Sequence, residues 1–176
     1  MSEAIAEAAL DALRIRITKV LPEQIRSCLD GLTDEQIWSR PNEQSNSIGN
    51  LVLHLTGSLN HYLNRNLGGM EFHRNRGQEF AERTEIPAAE LRKRFDEMVR
   101  RAEQTLGAMT VARLSDPSPE PKMHRLVIED LINIAIHLST HAGQIVWITK
   151  MIRGGGVNEL WINAHRKLGA WPSSSS

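Results

Sequence analysis

His137 and His141 stand four residues apart in the apolar run IAIHLSTHAGQIVWI, residues 134–148. In a helix that spacing stacks two imidazoles on one face, close enough to share an ion. At about 100° per residue, Asp130, Ile134, Gln144, Ile145 and Ile148 fall on the same side. The histidines therefore face inward among apolar neighbours, and Asp130 and Gln144 are candidates to orient the imidazoles or a bound water. Catalytic zinc sites combine three protein ligands with an open position, and three imidazoles are one known set. The third ligand must come from a facing helix.

His54 is the candidate, because it lies mid-helix in SIGNLVLHLTGSLNHYLNRNL, residues 47–67. Asn50, Ser58 and His61 project near it at the same angle, which makes a polar strip on an otherwise apolar element. His61 is seven positions on, roughly 10 Å along the axis at 1.5 Å per residue. That is too far for both imidazoles to reach one ion, so His61, Asn50 and Ser58 are assigned to a pocket wall. The competing reading makes all three histidines core residues bonded to backbone carbonyls. The sequence has no HExxH glutamate, no glycine-rich phosphate loop and no nucleophile elbow. It also lacks the Glu-x-x-His pairs of di-iron bundles.

The elements that must position these residues are helical. Ala4 to Leu29 carries apolar residues at helical spacing, with Pro22 expected to kink or split it. Thr33 caps a short turn holding Trp38, which is expected to plug the core. Ser45, Asn46 or Ser47 caps the helix bearing His54, and Gly68 and Gly69 stop it. Residues 71–84 are dense in charge and read as an irregular, solvated crossover that includes Arg74, Arg76 and Glu79. A third long helix runs from about Pro87 to Leu106 or Met109, with Leu91, Phe95, Met98, Val99, Ala102 and Leu106 inward. After the proline-rich turn at 116–121, the last helix runs from about His124 to Arg153. Small residues Ala135, Ser139, Ala142 and Gly143 on it permit close approach of another helix. No run of β period competes, so the expected class is all-α, a four-helix bundle. Residues 1–156 form one domain, and 157–176, with Trp161, Trp171 and a serine run, a partly disordered tail.

The 176 residues suit one domain with a sizeable core. Formal charge is zero and the pI is near 7.1, which gives no basic footprint for nucleic acid. The single cysteine, Cys28, rules out an internal disulfide framework and fits a reducing cytoplasm. No signal segment is evident, and the apolar runs read as too short for a membrane span.

The stretches NSIGNLVLHLTGSLNHYL, GGMEFHRNRGQEF and IAIHLSTHAGQI resemble the DinB-like superfamily, the DNA-damage-inducible and YfiT-like metal-binding proteins, from about Arg14 to Arg153. The resemblance implies a four-helix bundle of up-down-down-up order, often a homodimer, in which His54, His137 and His141 hold one divalent ion. It also implies thiol-dependent S-transferase or isomerase chemistry with a low-molecular-weight thiol, and a link to stress response. Imidazole ligands alone do not choose among zinc, nickel, iron, manganese and cobalt. Metal-assisted hydrolysis of a small molecule stays open beside thiol transfer. So do a non-catalytic, ligand-sensing dimer, in which Asp130 or Gln144 would close the metal site, and a metal-free scaffold.

Overall fold

The computed structural model describes residues 2–120 and 124–154. The expectations for residues 157–176 lie outside them. Among the described residues the protein is all-helical, without strands. The first helical stretch runs without a break through α1 (Glu3–Ile15), a π-helical turn (Arg16–Val20) and α2 (Leu21–Asp30). Pro22 has no N–H to give to the preceding turn. The expected distortion takes the form of the π turn, in which the Leu21 N–H bonds the Arg16 carbonyl.

A capping box starts α3 (Asp34–Trp38): the Gln36 N–H donates to Thr33 Oγ1 and the Thr33 N–H to Gln36 Oε1. Trp38 is buried as expected, and its indole N–H donates to the Ile86 carbonyl at 2.9 Å. Gly49 makes room for it, since a Cβ there would stand 2.8 Å from the indole ring.

Ser47 caps α4 (Ile48–Leu59), in a box with Asn50. α4 continues into a second π-helical turn, Asn60–Arg65. That turn closes bonds one residue longer than those of an α-helix, as in Asn66 N–H to His61 O, and so breaks the 3.6-residue register beyond Leu59. Gly69, at φ +68°, ends the element.

The charged crossover is more ordered than expected. It contains α5 (Arg76–Ala81), capped by Asn75, whose Oδ1 accepts from the Gln78 N–H. Next come α6 (Ala88–Gly107) and a 3-10 turn at Ala112–Ser115. The last element, α7 (Val127–Arg153), is held at its start by Glu129, which accepts from the Leu126 N–H at 2.8 Å, and stops at Gly154, φ +67°.

α7 packs chiefly on α2 and also on α4, while α4 packs on α5 and α6. Between them lies a continuous core that includes Ile25, Ile37, Leu55, Leu63, Phe95, Met98, Leu131, Leu138 and Ile145. α7 is long and apolar enough, by length and composition, to cross a membrane. This corrects the expectation that every apolar run is too short: polar residues interrupt the run without lowering its mean hydropathy enough. Its Leu131, Leu138 and Ile145 are fully buried in the core, while Ile136, Trp147 and Met151 are exposed.

Candidate metal centre

α4 delivers His54 and α7 delivers His137 and His141 to one point. One ligand atom from each lies within 4.8 Å of the others, close enough to bind a metal ion. His54 Nε2 and His137 Nε2 are 3.0 Å apart, and the rings meet edge to face with centroids 4.6 to 5.0 Å apart. Nitrogens held 2.0–2.1 Å from a tetrahedral zinc stand roughly 3.3 Å apart, a spacing the His54–His137 pair is already near.

The partners of the other ring nitrogens fix which lone pairs are free. His54 Nδ1 lies 2.9 Å from Glu79 Oε2. A carboxylate only accepts, so Nδ1 carries the proton and Nε2 turns a bare lone pair toward His137. A 3.0 Å gap between imidazole nitrogens requires a proton or a cation in it. On His141, Nδ1 donates to Gln144 Oε1 at 2.7 Å, which likewise frees Nε2.

Burial pushes the His54 pKa below the ordinary histidine range, more than the Glu79 bond raises it. Burial, followed by the neighbouring His141 and His54, takes His137 from 6.5 to about 4. Both are neutral at pH 7, the form that binds metal.

Glu79 is the residue that sequence reasoning missed. It is 8% exposed, and Arg74 grips it through Nε to Oε1 at 2.7 Å and Nη2 to Oε2 at 2.8 Å. Burial alone would raise its carboxyl, but the bonds from Arg74 and His54 outweigh burial and hold it below the ordinary carboxylate range. Gly57 on α4 gives the carboxylate its place, because a Cβ there would overlap Glu79 Oε1. Phe80, next along α5, lays its ring 4.6 Å from that of His54. The expectation that Arg74 and Glu79 form a solvated surface is corrected. The usable signal was Asn75-x-x-Gln78, a helix-start signature in the middle of the charge run.

The remaining predicted residues separate. Ser58 lines a cavity of about 300 Å³ beside His54 and His137, together with Leu59, Tyr62, Ile134 and Asp130. Asn50 does not line it. That side chain is buried and donates to the Glu79 and Glu82 carbonyls at 3.1 Å each, pinning α5 to α4. His61 does not line it either: the π turn rotates it off the His54 face, and it packs edge-on against Tyr62, which takes the cavity position instead. Asp130 pairs with Arg125 and not with an imidazole. A helical wheel places Asp130 on the histidine face but cannot register the arginine five residues back.

The chain belongs to the family described as Protein of unknown function (DUF1572), which matches residues 4–166. No curated protein matches it.

Proposed function

We propose that His54, His137 and His141 hold one divalent ion and that the protein is a metal-dependent enzyme acting on a small molecule. The observation that carries this reading is the convergence of three imidazoles beside a cavity. Three protein donors with neither Asp130 nor Gln144 among them match an open site better than a closed structural one. An ion held there would supply Lewis acidity, lowering the pKa of a coordinated water or thiol so that a nucleophile forms near neutral pH.

The protein's own groups do the rest. Glu79 and Gln144 hold the Nδ1 protons of His54 and His141, so that both present Nε2. Leu59, Tyr62 and Ile134 form an apolar wall for the substrate's body, and Ser58, Asn66 and Asn133 supply polar contacts. Asp130 and Glu120 are the carboxylates on the cavity lining.

The reading extends to a DinB-like four-helix bundle of up-down-down-up order, in which the α1–α2 stretch, α4, α6 and α7 are the long elements. It takes the described residues as one domain. Thiol-dependent S-transfer leads within it, with hydrolysis second; zinc, nickel, iron and manganese are all compatible ions. A cytoplasmic homodimer completes it, supported by the exposed Ile136, Trp147 and Met151 on α7.

The test is a rate assay on zinc- or nickel-loaded protein, with a panel of small thiols and a chromogenic electrophile, beside the same electrophile as an ester without thiol. The expected result is metal-dependent turnover with at least one thiol, abolished by His141→Ala. Turnover unaffected by that change or by chelation would refute an enzymatic role for the site.

A further inference from the structure

The cavity beside the histidines has a charged wall that the metal reading does not use. Arg74, Arg76 and Arg125 all line it. Glu79 neutralises Arg74 and Asp130 neutralises Arg125. Arg125 bonds Asp130 through Nε, leaving its two terminal nitrogens for another acceptor. No carboxylate among the described residues pairs with Arg76. It lies over the Phe80 ring instead, 5.4 Å from the centroid, and that ring in turn lies tilted against His54. A guanidinium kept against an aromatic face at a cavity rim, with its N–H edge unspent, is arranged to meet a planar oxyanion. The carboxylate opposing it is Glu120, which accepts from Asn66 Nδ2 at 3.0 Å.

The donor set points the same way. An imidazole binds a metal as the neutral base and so brings no charge to balance a divalent ion, and the one carboxylate behind the three, Glu79, is matched by Arg74. A loaded site would therefore carry net positive charge into a partly enclosed cavity, and this attracts anions.

We propose that the substrate is a small molecule with an oxyanion group, carboxylate or phosphoryl, held by Arg76 and Arg125, with an apolar body on Leu59, Tyr62 and Ile134. The inference rests on the reading that the histidines hold an ion. It places the substrate's reacting end toward His54 and His137 and its charged end toward the α5 rim. Arg76 is then a specificity residue and is none of the three donors.

Calorimetric titration of zinc-loaded protein with succinate and with its uncharged diamide, succinamide, tests this, with zinc content measured on the same samples. Saturable binding of succinate, absent with succinamide, is expected. Arg76→Gln should weaken it roughly tenfold, the worth of a charge-assisted hydrogen bond, at unchanged zinc content. Arg76→Lys should restore part of the loss. Titration with 3-phosphonopropionate in parallel tells whether a carboxylate or a phosphoryl group is preferred. Full zinc occupancy with equal or no binding of the two probes, or with Arg76→Gln indifferent, would overturn the oxyanion site and leave the metal reading intact. Failure to take up zinc would overturn the metal reading itself, and the inference with it.

Discussion

Glu79 Oε2 sits 2.9 Å from His54 Nδ1, across 25 residues of sequence and between two different helices. This contact joins the crossover to the candidate metal centre. It settles which nitrogen of His54 is free and brings a negative charge next to a site whose donors are all imidazoles. Arg74, 9% exposed along its side chain, keeps that charge in place.

Glu79→Gln keeps the shape but removes the charge, leaving a buried guanidinium without its partner. Breaking a buried pair costs about 3 kcal/mol, and loss of a carboxylate behind a metal-binding histidine lowers affinity about 10- to 100-fold. Thermal unfolding and competition with a chelating dye should show both effects together. Unchanged zinc affinity would mean that Glu79 only anchors the crossover.

Gly57→Ala should act through Glu79. The new Cβ overlaps the carboxylate, so either the helices part or Glu79 leaves His54. Overpacking of this kind costs about 1–3 kcal/mol. In ¹⁵N spectra the Nδ1–H signal of His54 should broaden or shift, whereas a retained signal would show that the carboxylate has room to spare.

The pH dependence has a definite sign. His137 titrates at about 4 in the folded protein against 6.5 for the free side chain, so between those values the unfolded chain binds the extra proton. The metal-free protein should therefore lose stability as pH falls from 6.5 toward 4, with no further loss from this group below that. His54, also lowered by burial, and Glu79, held down by Arg74, act in the same direction. Protons compete with the ion across the same window. Denaturant midpoints measured at pH 7, 5.5 and 4.5 should decline in that order, and a flat series would contradict buried neutral imidazoles.

Phe95→Ala separates fold from site. Phe95 is fully buried on α6, an element that carries none of the three histidines, and truncation should cost about 3–5 kcal/mol. Metal stoichiometry of the protein that stays folded should not change, and a proportional loss of metal would show that the site depends on the whole core.

The three histidines were legible because each lies on a long helix whose apolar period fixes its face, so spacing alone brings His137 beside His141. Glu79 was hidden because it lies on a six-residue helix inside a charge run, where no apolar stripe marks an inward side. His61 misled for a different reason. The π turn at Asn60–Arg65 changes the angle per residue just beyond His54, and nothing in the hydrophobic pattern announces it. Trp38 and the caps at Thr33 and Ser47 were readable because their chemistry is local.

Elemental analysis of tag-free protein, wild type beside His54→Ala and His137→Ala, tests the central claim most directly. The account predicts about one divalent ion per chain in the wild type, lost from both variants, with the melting temperature of each falling toward that of the metal-free protein. No ion in the wild type after incubation with zinc or nickel, or full occupancy in either variant, would contradict it.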